Sequence, residues 1–285
     1  MCSSDLLANC AAQRAALGLD RPLPAQFASW LGRFARGDWG SSIAKGRPVR
    51  ALLGAAWRQT AWLVALSLAL SYLIGLAIGA VQAARSGSRL DTLLSVSTVA
   101  LFAMPGYWLG LMLVLVLTYW ARLLPAFGTA GLDADYLRGA SWLIDRARHL
   151  ALPLATLTLI GIGGAARFAR GAMLETLQQP FITTARAKGL KPRRVIGHHA
   201  LRNALTPLVT MLGLSLPALF SGAVFVEAVF AWPGVGRVLV EAVKARDYPV
   251  VMAATAISAV LVVAGNMIAD VLAAWVDPRV RSATP

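Results

Sequence analysis

The sequence predicts an all-α, polytopic transmembrane helical bundle, and three observations carry that prediction. Of its 285 residues, 58% are hydrophobic and 14% charged, with a mean hydropathy of +0.64. The charges fall between uncharged runs at 60–84, 92–121, 150–166, 203–226 and 248–269. An α-helix rises about 1.5 Å per residue, so about 20 apolar residues cross a hydrocarbon core. The run 150–166 is the shortest, and Arg167 and Arg170 can snorkel from its end to the headgroups. The net charge of +14 therefore sits in loops rather than on a soluble basic face. Membrane lipid is the expected surrounding, and nucleic acid is not an expected partner.

The elements follow in order. Residues 1–58 carry basic side chains but no apolar run or signal peptide to export them. The loop 85–91 holds Arg85 and Arg89. The loop 167–202 holds Arg167, Arg170, Arg186, Lys188, Lys191, Arg193, Arg194 and Arg202 against the single acid Glu175. The tail 277–285 adds Arg279 and Arg281. The opposite loops, 122–149 and 227–247, are nearly balanced by acids. Positive charge marks the cytoplasmic side, so a prokaryotic inner-membrane protein with a cytoplasmic C-terminus and an external 1–58 segment is expected. Exporting that segment calls for a further span before it, so a first span is expected to be missing. The alternative, a cytoplasmic N-terminus with every span inverted, conflicts with the short-loop charges. Cys2 and Cys10, the only cysteines, give neither a disulfide framework nor a metal site.

The spans hold no Asp, Glu, Lys, Arg or His, whereas ion-coupled transporters usually keep such a group in the membrane. There is no GxxxxGK[ST] loop and no Ser/His/Asp grouping, so the chain reads as a non-enzyme without its own nucleotide site. Gly75-x-x-x-Gly79 and Gly106-x-x-x-Gly110 permit close helix approach. The second pair lies in AMPGYWLG (103–110), where Met104, Pro105 and Gly106 mark either a kink or part of a translocation path. Gly161, Gly163 and Gly164 lack the spacing and the preceding strand of a nucleotide fingerprint. His198 and His199 point about 100° apart on a helix and lack further ligands, so no metal is expected.

Two loops carry the functional signal. In PFITTARAKGLKPRRVIGHHALRNALTPL (180–208), Pro180 opens a short helix, Gly189 closes it and Pro192 opens another. A structured basic hairpin in a short loop reads as a docking surface, with a lipid-facing basic helix as the alternative. In 225–249, Trp232, Pro233 and Gly234 signal a turn, followed by Gly236 and an amphipathic helix bearing Val238, Leu239, Ala242 and Val243. Trp232 reads either as an interfacial anchor or as part of a pathway mouth.

TARAKGL (184–190), Val195 and HALRNALTPL (199–208) resemble the conserved cytoplasmic loop of ABC importer permeases, most closely the peptide/nickel branch. LGLDRPLPAQFASWLGRFARGDWGSSIAKGRPV (17–49), VEAVFAWPGVGRVLVEAVKARDYPVV (226–251) and DPRVR (277–281) extend the likeness over nearly all of the chain from Leu17. The resemblance implies the type I ABC importer permease fold over 59–276, five spans being visible and a sixth preceding them. It implies that Thr183, Thr184, Ala185, Arg186, Ala187, Lys188, Gly189, Leu190, Arg193 and Arg194 form the loop coupling to an ATPase. The general pattern has Glu-Ala-Ala where this chain has Thr183, Thr184 and Ala185, a departure common in that branch. The implied partners are a second homologous permease subunit, two cytoplasmic ATPase domains holding ATP and Mg²⁺, and an external solute-binding protein. Peptides are the expected cargo, with nickel or another small solute as the alternative. A stand-alone secondary transporter, a channel or an intramembrane enzyme fits less well, for want of charge inside the spans.

Overall fold

Apolar runs become helices in a computed structural model of the chain, whose described residues are Asp20, 22–215 and 224–276. Helix α1 (Leu23–Ala35) is separate from the spans. Helix α2 (Val49–Ala84) contains the run 60–84 and starts well before it. Helices α3 (Arg89–Ala103) and α4 (Gly106–Leu113) share the run 92–121, α4 continuing as a π-helical stretch Val114–Trp120. Helix α5 (Gly139–Leu177) extends 150–166 on both sides and carries Pro153 without breaking. Helix α6 (Pro180–Ala187) and the single turn α7 (Pro192–Arg194) form the basic hairpin. From there Val195–Ala200, again π-helical, leads into α8 (Leu201–Ser215). Helices α9 (Val224–Val229), α10 (Val235–Lys244) and α11 (Tyr248–Val276) follow.

Among the described residues, three helices are long and apolar enough to cross a membrane: Val49–Ala84, Gly139–Leu177 and, within α11, Tyr248–Ile268. The α3/α4 pair adds a fourth if taken as one span, bent by 105°. The expected span 203–226 runs through 216–223, outside the described residues, as do Cys2, Cys10 and the tail 277–285.

The contact between α2 and α5 organises the bundle. A Cβ on Gly75 would lie 2.6 Å from the Ala165 Cβ, and one on Gly79 would lie 2.6 Å from the Ala169 Cβ and 2.7 Å from the Ala166 carbonyl. The helices therefore touch backbone to backbone, the geometry that small-xxx-small spacing permits in a membrane. Gly163 of α5 gives α3 the same closeness, a Cβ there meeting the Thr98 carbonyl at 2.7 Å. Ion pairing locks the hairpin end of this trio. Ser88 caps α3 by accepting from the Asp91 N–H at 3.2 Å, while Asp91 accepts from the Gly87 N–H at 3.0 Å and from Arg170 of α5 through two bonds of 2.8 Å. Gln82 of α2 donates to Ser95 of α3 at 2.9 Å.

The other end of α2 joins a second cluster, in which Val49 and Leu53 pack with Ala242 of α10 and with Val250, Ala253 and Ala254 of α11. The loop before α2 is pinned there. Asp247 accepts from the Ser42 hydroxyl and from the Ile43 and Ala44 N–H groups, at 3.1 and 3.2 Å for the two amides. Burial alone would push the Asp247 carboxyl up, but these hydrogen bonds outweigh it and hold it below the ordinary carboxylate range.

Gly79→Ala must push α2 from α5 and is expected to cost about 1–3 kcal/mol. Gly54→Ala, in the same helix with no atom within 4 Å of the added Cβ, should be neutral or stabilising, since alanine favours helix over glycine. Thermal unfolding in detergent compares the two. Because Asp247 is depressed in the folded state, its clasp contributes fully above the ordinary carboxylate pKa near 4 and is lost as pH falls through the lower folded value. Hydrogen exchange at Ile43 and Ala44 should therefore accelerate, beyond its intrinsic pH dependence, only on strong acidification.

Candidate functional site

The basic hairpin is built from its punctuation. Pro180 and Pro192 each occupy a first-turn position, where a missing N–H costs no hydrogen bond. Gly189 has φ +75°. Its N–H donates to the Arg186 carbonyl at 2.9 Å, and the Leu190 N–H reaches back to Ala185 at 3.3 Å. That pair of bonds is a Schellman motif, which needs a left-handed residue where glycine carries no Cβ penalty.

An apolar side anchors the hairpin. Ile182, Ala185, Val195 and Ala200 are buried with Ala83 of α2, Met173 of α5 and Ala204 of α8, and Leu190 packs partly against them. Ala185 thus faces the bundle rather than the free surface. Thr183, Thr184, Arg186, Ala187, Lys188, Gly189, Arg193 and Arg194 are exposed. None of the four cations among them pairs with a carboxylate among the described residues. The exposed edge is consequently a basic surface on a rigid mount. His198 and His199 stack edge to face at 5.2 Å, and the hairpin has no metal-ligating cluster among the described residues.

The residues at the break in the run 92–121 do more than kink a helix. Met104 and Pro105 are both extended, with ψ 131° at each; for Met104 the cause is the following proline, which drives the residue before it out of the helical region. Gly106 brings α4 against α5, where an added Cβ would meet Ile160 at 3.0 Å, and Gly110 likewise faces the Phe230 ring at 3.2 Å. Beside the break, Phe102, Gly164, Arg167, Phe168, Gly171 and Met211 line part of an open cavity of ≈ 530 Å³. The Arg167 guanidinium lies 4.8 Å from the centre of the Phe102 ring.

At the opposite end, the turn at 232–236 closes on a carboxylate that charge patterning in the sequence did not single out. Glu227 is completely buried. It accepts from the Thr60 hydroxyl at 2.7 Å, from the Gly236 N–H at 2.7 Å and from the Arg237 N–H at 3.3 Å. Thr60 in turn accepts from the Val235 N–H at 2.9 Å. The carboxylate thus occupies the N-terminus of α10, where free N–H groups and the helix dipole favour an anion. A Cβ on Gly234 would collide with the Glu227 carboxyl, and one on Gly236 would lie 2.9 Å from its Oε2. Trp232 is buried, not an anchor in the headgroups, and donates to the Gln59 carbonyl at 3.3 Å. Pro233 is exposed. The one signal in the sequence was an acid at the edge of an apolar run, with Gly234 in the turn that follows and Gly236 just after it.

Removing the carboxylate orphans several buried donors, each costing about 1–3 kcal/mol. Glu227→Ala should therefore lower the unfolding temperature in detergent well beyond Glu227→Gln, which keeps the shape and one acceptor oxygen.

Residues 71–282 match the family model described as the binding-protein-dependent transport system inner membrane component. The chain is 42% identical over 265 residues to the oligopeptide transport system permease protein AppB of Bacillus subtilis (strain 168), covering 93% of this chain and 82% of that one. It is 35% identical to the di/tripeptide transport system permease protein DppB of Pseudomonas aeruginosa (strain UCBPP-PA14), covering 93% and 83%. The glutathione transport system permease protein GsiC of Pectobacterium atrosepticum is 37% identical, covering 93% and 82%. Among solved structures, a chain of the MetNI methionine ABC transporter in inward facing conformations is similar with a TM-score of 0.57 at 19% identity, over 79% of this chain and 98% of that one. That likeness bears on fold alone, and it agrees with the expected type I permease architecture. Bundle, hairpin and sequence thus converge: this multi-pass membrane chain belongs to the family of binding-protein-dependent transport system inner membrane components.

Proposed function

We propose that the chain is the permease subunit of an ATP-driven importer that moves peptides across a prokaryotic inner membrane. The observation that carries this reading is the basic hairpin: exposed cations on a preformed turn, seated on the ends of α2 and α5. In this reading Arg186, Lys188, Arg193 and Arg194 meet an acidic rim on a cytoplasmic ATPase through charge-assisted hydrogen bonds. ATP and Mg²⁺ stay on that partner, and this chain performs no chemistry on its cargo. The relatives named for oligopeptides, di/tripeptides and glutathione, all of them peptides, support the choice of cargo.

The permease domain covers 59–276, with the hairpin and the C-terminus on the cytoplasmic side, as the loop charges favour. A second, homologous permease faces this one, and an external solute-binding protein delivers the peptide. Closure of the two ATPase domains displaces the hairpin. Because the hairpin shares a core with α2, α5 and α8, it moves their ends together. The spans then rock between outward- and inward-facing states, with the break at Met104, Pro105 and Gly106 and its adjoining cavity beside the path. The turn at Trp232, Pro233, Gly234 and Gly236 holds the opposite end closed over the bundle.

The test is co-purification in detergent with the ATPase subunits from the same source. Gly189→Pro cannot adopt φ +75°, since proline fixes φ near −65°, and it should abolish ATPase recovery and peptide uptake while the chain still inserts. Undiminished ATPase recovery with that variant would remove the hairpin from the coupling role.

A further inference from the structure

Helix α1 has no place in the transport cycle above, yet its composition is unusual. Its residues Leu23, Phe27, Trp30, Leu31 and Phe34 recur at helical spacing, and the helix buries none of its side chains. Leu23 is 78% exposed, Phe27 58% and Leu31 48%. Trp30 stacks on Phe34 at 5.2 Å and Phe34 on Trp39 at 5.8 Å, so an aromatic ladder runs from the exposed face into the cluster that joins α2 to α11. The charged side chains of the helix itself are basic, with Arg33 in its last turn and Arg36 at its C-cap.

The ladder places α1 at one particular level. Trp30 and Arg33 of α1 line one cavity with Tyr248, Pro249 and Met252, the first turn or so of the span α11. Tyr248 and Met252 are exposed, and the exposed stripe they begin continues along the span through Val263 and Met267. Tyrosine and tryptophan at a span terminus mark the membrane–water boundary. An amphipathic helix with a basic polar edge at that boundary has the character of one lying in the interface plane. Between α1 and α11 opens a cavity of ≈ 470 Å³, lined by Trp30, Arg33, Asp38, Trp39, Tyr248 and Met252 among others. Arg33 has no carboxylate partner among the described residues. The Asp38 carboxylate is engaged by the Gly40 N–H at 3.1 Å.

We infer that α1 lies in the membrane interface and that the cavity behind it holds an anionic phospholipid, its phosphate on Arg33 and its acyl chain along Trp30, Trp39 and Met252. The apolar walls of the site and its continuity with the exposed face of a spanning helix select a lipid over a soluble ligand, and Arg33 supplies the cation its phosphate meets. Seated there, the lipid ties the segment before α2 to the bilayer at the end of the bundle remote from the hairpin.

The test uses the full chain in nanodiscs, with Cys2 and Cys10 replaced by serine and an environment-sensitive fluorophore on Phe27→Cys or Ser29→Cys, both exposed positions. Acyl-brominated phosphatidylcholine should quench the probe at 27 at least about twofold more than the probe at 29, which sits on the opposite face. Native mass spectrometry should show phosphatidylglycerol retained over phosphatidylcholine. Arg33→Gln should reduce that preference about fivefold, the loss expected for one basic residue at a membrane surface. Equal quenching at the two positions, or a probe at 27 shielded from both water and bromine by a protein partner, would overturn the interfacial placement. An unchanged lipid preference in Arg33→Gln would overturn the headgroup assignment. None of these readouts depends on ATPase binding, so they stand or fall apart from the hairpin's role.

Discussion

Everything in this bundle depends on how closely α2 and α5 approach. Gly75 and Gly79 leave no room for even a methyl group against Ala165 and Ala169. In a membrane, apolar burial does not discriminate between a lipid tail and a leucine, so helices associate through dispersion contacts and the hydrogen bonds that closeness permits. With those two helices in register, Gly163 can admit α3, Arg170 can reach Asp91, and Ala83 and Met173 meet to form the platform under the hairpin. At the far end the same register brings Thr60 of α2 to Glu227. The basic hairpin and the turn closed by Glu227 are thus mounted on one helix pair.

The two ends of the pair are finished by opposite devices. At the hairpin end the carboxylate Asp91 has a cation, and Arg170 supplies a two-bonded fork whose planar geometry fixes direction as well as distance. At the other end Glu227 has mainly neutral donors, a hydroxyl and the backbone N–H groups of a helix start. The two backbone donors to Glu227 cannot let go piecemeal, because they are consecutive residues of one helical turn. The first joint ties α3 to α5 through one charged fork; the second ties α2 and α9 to the start of α10.

Much of this was legible in the sequence because membrane solvent imposes crude rules. Uncharged runs of the right length become helices, and basic loops separate from balanced ones. Proline and glycine at 180, 189 and 192 marked the hairpin because each has a backbone preference independent of surroundings. What escaped was whatever depends on a neighbour distant in sequence. Ala185 sits on the helix that was read as a docking surface, but which side faces Met173 is decided by α5, not by the hairpin itself. Glu227 adjoins an apolar run, and nothing in its local sequence says that Thr60 waits for it. Pro105 announced an interruption, yet the 105° bend also required Met104 to be extended and Gly106 to let α4 turn against Ile160.

The Schellman turn at Gly189 has a further consequence, for entropy rather than shape. Ordering a backbone residue costs about 1–2 kcal/mol. In many loops that cost falls at the moment of binding and weakens the complex. Here the two prolines, the left-handed glycine and the buried Ile182 and Val195 have ordered the segment during folding of the chain itself. Whatever meets the basic edge finds it already in its final form. Contact there can be brief and repeated without being slow, as the proposed coupling role requires.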